Sequence, residues 1–263
     1  MTNLIKKAVL AAALLSSTTP ALAQNVEPSE RTVIEPILQR FVADYEHDPM
    51  ASDITFGIEV ADMRWTIVSA STDGQRDVTI TDGFNDRELF YFKLDRETLN
   101  LLDQGVWNGL TAMGAATSAD KTPLDILYTD GFEKAADHDA TTRRLIFHFW
   151  TRGLPEKVQF SQRNSRVVHG APATALYYDE DFRSAVYFIP AGLGREQAPT
   201  IAVPFPRMIL ITAGSAAGEI DGSAFTAKAG DMLFAPANLP VTFWNASSAE
   251  TLSFVWLMWG KGA

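Results

Sequence analysis

Residues 229–245 read AGDMLFAPANLPVTFWN. Two short apolar runs flank a proline-rich turn, which is the pattern of two strands joined by a tight connection. The same texture extends outward on both sides. The runs RRLIFHFWT, EKVQFS, SRVVHG, ATALYY, RSAVYFIPAG, RMILITAG, AGDMLFAPA, VTFWNAS and TLSFVWLMW are short, evenly spaced and separated by Gly, Pro, Asn and Asp. From about Thr141 onward the pattern predicts strands only, closing into a sandwich or barrel.

The spacing within the opening stretch is more specific than its texture. Gly230, Pro236 and Asn245 fall at the positions of the second cupin motif: Gly, five residues, Pro-x-Gly, two residues, His, three residues, Asn. Asp231 follows the glycine and Pro240 precedes the key position. Asn238 stands for the second glycine, a substitution that left-handed turn geometry tolerates. Val241 stands for the histidine. The first cupin motif, anchored at Gly214, puts Arg207 at its glutamate. A four-residue spacer makes its two histidines Thr200 and Ala202 and fits Gly194 to the opening glycine; a three-residue spacer makes them Ile201 and Val203. Residues 140–260 thus resemble the cupin superfamily, which implies a double-stranded β-helix. A metal site needs about three imidazole or carboxylate ligands. All the expected ligand positions here are aliphatic, alcoholic or basic, so the expectation is no metal and no cofactor at the usual cupin place.

The first half reads differently. VIEPILQRFVADYEHD carries Ile34, Ile37, Leu38, Phe41, Val42 and Tyr45 at helical spacing, predicting an amphipathic helix capped by Ser29 or Thr32, with Pro36 tolerated only in its first turn. ITFGIEV, RWTIVSA, DVTITDG and LFYFKLD predict strands, with Asp73-Gly74 and Asp82-Gly83 as turns. RETLNLLDQGVWNGLTAMGAATSAD reads as a helix ending near Gly105 and a second short helix. This order predicts an α+β unit over residues 24–135, joined by the linker ADHDAT to an all-β domain over residues 140–263. The helix, twisted sheet and helix-loop segment resemble sterol-carrier-like domains, which implies an apolar tunnel in the first unit.

The amino terminus, MTNLIKKAVLAAALLSSTTPALAQ, has basic Lys6 and Lys7, an apolar run and an Ala-Leu-Ala ending. These are the three parts of a secretory signal peptide, with cleavage expected after Ala23 and an exported, periplasmic or secreted product. The apolar run is shorter than the ~20 residues a spanning helix needs. Over its 263 residues the chain is 46% hydrophobic and 21% charged, a globular composition. Its formal charge of −10 becomes −12 once both lysines are removed. That balance argues against nucleic acid and anionic membranes as partners. The lack of cysteine excludes disulfides, thiolate catalysis and Cys-ligated zinc.

Candidate chemistry centres on Arg207. A guanidinium inside a barrel must be paired, or must hold a ligand carboxylate, phosphate or carbonyl. Its structural alternatives are an internal ion pair or a place on the outer face. His47 and His138 are expected to be solvated. His148 and His169 are expected in apolar strands as hydrogen-bonded core residues. In a sharper reading His169 with Tyr177 or Tyr187 forms an acid/base pair; a metal at His148, His169 and Glu180 matches no ligand spacing. Period-two alternation turns Val241 and Phe243 inward and Trp244 outward. No Gly-x-Ser-x-Gly, Walker loop or dinucleotide fingerprint occurs.

These readings lead to one expectation and two alternatives. The first is an exported protein that binds a small apolar or amphipathic molecule through Val203, Phe205, Arg207, Val241 and Phe243. The second is a metal-independent hydrolase, isomerase or lyase using His169, a tyrosine and Arg207. The third is a dimerisation scaffold, since barrels of this kind pair through edge strands.

Overall fold

The computed structural model describes residues 29–85, 89–115, 120–168 and 170–263. The expected signal peptide and His169 lie outside the described residues. No helix among those described is long and apolar enough to cross a membrane.

The first helix, α1 (Glu30–Glu46), buries the six residues that its spacing selects. Ser29 occupies the N-cap position but its side chain makes no cap bond, and Pro36 lies inside the helix, beyond the first turn expected for it. Five strands follow: β1 (Ile54–Val60), β2 (Met63–Thr72), β3 (Gln75–Asp82), β4 (Phe90–Leu94) and β5 (Leu124–Tyr128). They form one sheet in the order β3-β2-β1-β4-β5, with β1 and β4 parallel and the other pairs antiparallel. Asp73 and Gly74 have φ of 53° and 78°, the left-handed pair that a two-residue hairpin requires. Two helices, α2 (Arg96–Asp103) and α3 (Gly109–Met113), fall where the pattern places them. Strand β5 lies just beyond the segment that the pattern assigns to two helices, where no strand is expected.

The largest departure comes next. RRLIFHFW is no strand but the end of α4 (His138–Trp150), and ADHDAT is its start rather than a linker. Its buried residues Leu145, Phe149 and Trp150 pack in one core with Phe41, Phe56 and Phe92. The expected division at residues 135–140 runs just ahead of a helix that belongs to the first core. A continuous apolar run of this length fits a buried helix as well as a strand, so periodicity does not separate them. EKVQFS is not a strand either.

The remaining strands are β6 (Arg166–Val168), β7 (Ala171–Asp179), β8 (Phe182–Ile189), β9 (Thr200–Ile201), β10 (Arg207–Ala213), β11 (Ser215–Ile220), β12 (Ser223–Lys228), β13 (Met232–Ala235), β14 (Val241–Asn245) and β15 (Leu252–Trp259). They build a six-stranded sheet, β13-β10-β15-β8-β7-β6, and a four-stranded sheet, β12-β11-β14-β9. Every pair is antiparallel. The two sheets face each other across a small apolar core in which Ile209, Ile211 and Phe254 of one meet Ala216 and Ala227 of the other. The outer part of β7 leaves this sandwich and packs on the first core, where Ala175, Tyr177 and Tyr178 meet the helices. An α+β unit followed by an all-β two-sheet unit is the fold class that the sequence predicts.

Candidate functional site

A cavity of about 460 Å³ opens between the two sheets. One wall is the inner face of β8, β10 and β15, which presents Tyr187, Ile209, Phe254 and Trp256. The opposite wall comes from β9 and β14, with Ile201, Val241 and Phe243. Val203 and Phe205 border it from the connection into β10, and the segment around Leu193 and Pro199 borders its mouth. Four of the five residues expected to contact a ligand, Val203, Phe205, Val241 and Phe243, therefore line one space. Trp244 also borders it, although alternation turns it outward; Arg195 sits 5.8 Å above its ring.

The site follows from the turn that opened the sequence. Asn238 has φ of 64° and its N–H donates to the Val203 carbonyl at 2.7 Å. Asn245 is buried and its side-chain amide donates to the carbonyls of Ile189, Pro190 and Glu250. These contacts tie β14 to the ends of β8 and β15 and fix Val241 toward the cavity. The two possible spacers of the first motif are also resolved. Thr200 and Ala202 are exposed, whereas Ile201 and Val203 face the cavity. The positions of the cupin ligands are thus held by Ile201, Val203, Arg207 and Val241, a set with no imidazole or carboxylate to offer a metal.

Arg207 is fully buried and leaves the same face of β10 as Ile209, which lines the cavity, without lining it itself. Nη2 donates to the carbonyls of Ile201 at 2.9 Å and Leu239 at 2.7 Å, bridging the edges of the two sheets. Nε and Nη1 are buried without a partner, and the guanidinium carbon lies 5.8 Å from the Trp256 ring centre. Neither structural alternative applies, because the side chain faces inward and makes no ion pair among the described residues. Burial pulls its pKa below the ordinary arginine value. A second arginine shares the row. Arg183 and Arg207 both pair across strands with Met258, so all three side chains leave the same face of the sheet. Arg183 borders the cavity with its Nε buried and unpartnered, as is the indole Nε1 of Trp256. Counting in twos back from Tyr187 reaches Arg183, a signal present in the sequence and unread.

The catalytic candidates separate. Tyr187 lines the cavity, stacked on Phe254 at 5.4 Å, and burial raises its phenol pKa, which suits a neutral donor and not a base. Tyr177 does not join it; its ring packs edge-on against Phe147 of α4 at 5.0 Å. His138 is buried beside Tyr128 and Thr142, not solvated. His148 lies in α4 and meets Asp48 and Glu156, while Glu180 is exposed in the turn after β7.

The C-terminal part is similar to solved structures of cupins. Solved structures that resemble it include an RmlC-like cupin from Shewanella frigidimarina, at 13% identity over 38% of this chain and 82% of that one, with a TM-score of 0.32. A Cupin 2 conserved barrel domain protein from Salinispora arenicola matches at 16% identity over 40% of this chain and 88% of that one, with a TM-score of 0.35. The cupin domain of Schizosaccharomyces pombe Cnp3 matches at 16% over 42% and 73%, with a TM-score of 0.32. No family model and no curated protein sequence matches the chain. The likeness to sterol-carrier-like domains gains no support from these comparisons; among the described residues the first core brings Phe41, Phe56, Phe92, Phe149 and Trp150 into ring contact.

Proposed function

We propose that this protein is an exported binding protein for a small amphipathic molecule, held between the two sheets with its apolar body on the aromatic wall and an anionic or carbonyl end toward Arg207. The observation that carries the reading is the buried guanidinium, whose Nε and Nη1 have no acceptor beside an apolar cavity of about 460 Å³. A buried cation without a counter-charge is costly, and a ligand oxygen offsets that cost. The volume falls within the usual range for small-molecule sites. Export rests on the first 23 residues, and N-terminal sequencing of the protein from its host checks it: the chain is expected to begin at Gln24.

A titration with a fluorescent aliphatic carboxylate and the matching alcohol tests the binding reading. The carboxylate is expected to bind at least tenfold more tightly, a gap of about 1.4 kcal/mol, and Arg207→Met is expected to abolish the gap. Equal affinities, or a gap that survives the substitution, sink the reading. A pure dimerisation scaffold needs no cavity, whereas the binding reading uses the one of about 460 Å³. An enzyme reading retains only Tyr187 and Arg207 at this site among the described residues.

A further inference from the structure

Away from the cavity, three segments bring potential metal ligands to one point beneath the first core. Asp48 lies just beyond α1, His148 near the end of α4, and Glu156 in the segment that follows α4. His148 Nδ1 lies 2.6 Å from Glu156 Oε1 and 2.9 Å from Asp48 Oδ2. One oxygen or nitrogen from each residue falls within 4.8 Å of the other two. The Asp48 side chain is 2% exposed, that of His148 6% and that of Glu156 16%.

Two carboxylates and one imidazole contest the hydrogens at this point. An imidazole Nδ1 carries at most one hydrogen, yet two carboxylate oxygens converge on it, Glu156 the nearer at 2.6 Å. Burial and a side-chain hydrogen bond to Glu156 hold the Asp48 carboxyl above its ordinary value, so the two carboxyl groups are set to share a proton. Asp48 Oδ1 is taken by the Met50 N–H at 2.7 Å, and Asp48 Oδ2 is buried without a hydrogen-bond partner. No lysine or arginine among the described residues pairs with Asp48 or Glu156; Arg152, four residues beyond His148, is committed to Asp44 and Asp103. Two carboxyl groups thus converge on one imidazole in a buried place with no lysine or arginine among the described residues beside them, and a proton shared between Asp48 and Glu156 is what a divalent ion would displace.

We propose that Asp48, His148 and Glu156 form a binding site for a divalent transition-metal ion. One nitrogen and two carboxylate oxygens are a donor set that suits Zn²⁺ or Mn²⁺ and not a thiophilic ion. Three protein ligands leave a tetrahedral ion one further position for water. Ligand bonds of about 2.0–2.1 Å at tetrahedral angles set the ligand atoms about 3.3 Å apart, so the observed pairs separate by roughly half an ångström to admit an ion. The bound ion clamps the end of α1, the end of α4 and the chain after it. The site is independent of the cupin ligand positions and of the cavity.

The test uses untagged mature protein stripped with a chelator and titrated calorimetrically with Zn²⁺, with Mg²⁺ in parallel. Glu156→Gln, His148→Gln and the exposed His47→Gln are carried alongside, each checked for native circular dichroism. One Zn²⁺ per chain is expected, with a rise in thermal midpoint that scales with free Zn²⁺. Glu156→Gln is expected to weaken binding at least tenfold, His148→Gln to abolish both binding and the midpoint shift, and His47→Gln to change neither. Absence of saturable binding by the folded wild-type protein overturns the proposal. So does Zn²⁺ binding that survives folded His148→Gln and Glu156→Gln, or that disappears in His47→Gln. If His148→Gln fails to fold, Glu156→Gln decides alone, because its side chain keeps its size and only a ligand loses its charge.

Discussion

The two halves of this molecule solve their interiors in opposite ways. Around α4 the first half is filled: Phe149 meets Phe41, Tyr45, Phe56 and Trp150 with ring centres 4.9 to 6.0 Å apart. In the second half Phe254 meets Tyr187 and Trp256 on its own wall and Phe243 on the opposite one, and all four rings border the cavity. Outside the Asp48, His148 and Glu156 cluster, one buried charge in each half makes the contrast. Buried Glu59 in β1 has two cations, Lys93 at 2.6 Å and Arg64 at 2.8 Å, whereas buried Arg207 has no anion among the described residues. Glu59 with its two cations belongs to stability; Arg207 beside a cavity is prepared for something that arrives later.

Core truncation draws this contrast most strongly. Phe149→Ala is expected to cost about 4 kcal/mol, because a rigid cluster of rings leaves a cavity that cannot collapse. Phe254→Ala is expected to cost about 2 kcal/mol, since the ring already borders a void and loses fewer contacts. Urea denaturation of both variants measures the difference. Equal losses break the comparison and imply that the cavity is closed by packing in solution.

Charge removal comes next. Glu59→Gln is expected to destabilise by about 2 kcal/mol, below the usual loss for a buried pair because Lys93 and Arg64 are half-exposed and regain water. Burial raises the Glu59 carboxyl, but its bonds to Lys93 and Arg64 outweigh this and hold it below the ordinary value of 4.5. A depressed folded-state pKa contributes stability that is present above 4.5 and lost as pH falls through the lower folded value. The gap between wild type and Glu59→Gln is therefore expected to be constant near neutrality and to close below about pH 4. A gap that persists in acid shows that packing, and not charge, distinguishes the two.

Arg207→Met is the counterpart, with a smaller expected effect. It leaves the carbonyls of Ile201 and Leu239 without their donor, a cost that removal of a buried unpaired cation largely offsets. A net change of about 1 kcal/mol or less in the ligand-free protein is expected. A loss of 3 kcal/mol or more indicates a counter-charge for Arg207 within the folded chain and removes the ground for an anion in the cavity.

How much of this was legible depended on the kind of signal. Helix α1 was readable residue by residue, since six apolar positions at helical spacing face one core. The 229–245 stretch was readable because glycine, proline and asparagine at fixed intervals reflect backbone geometry, and that geometry persists after the ligands are gone. Helix α4 was not readable, because LIFHFW is apolar on every face, and a strand buried on both sides has the same appearance. The misreading carried a site with it. Placed on a strand, His148 had no reason to meet Asp48, a hundred residues earlier, and no spacing rule joins residues brought together by the packing of two helices. Strands β11 and β12 carry no strand signal in the sequence, because AAGEI and SAFTAK are built of small residues with little β-branched content.

The smallest effect expected concerns the substitution that kept the motif recognisable. Asn238 holds φ at 64°, and its N–H bonds to the Val203 carbonyl at 2.7 Å, so the turn both reverses the chain and fastens one edge of the cavity. Asparagine accepts the left-handed region at low cost, glycine at none, and alanine pays about 1 kcal/mol there. Asn238→Ala is thus expected to lower stability by about 1 kcal/mol and Asn238→Gly to change it by less than about 0.5 kcal/mol, the relief of φ being countered by greater freedom in the unfolded chain. Thermal denaturation separates the two. If Asn238→Gly also loses 1 kcal/mol, the side-chain amide contributes more than turn geometry, and asparagine at this position is a requirement of this chain rather than a tolerated stand-in for glycine.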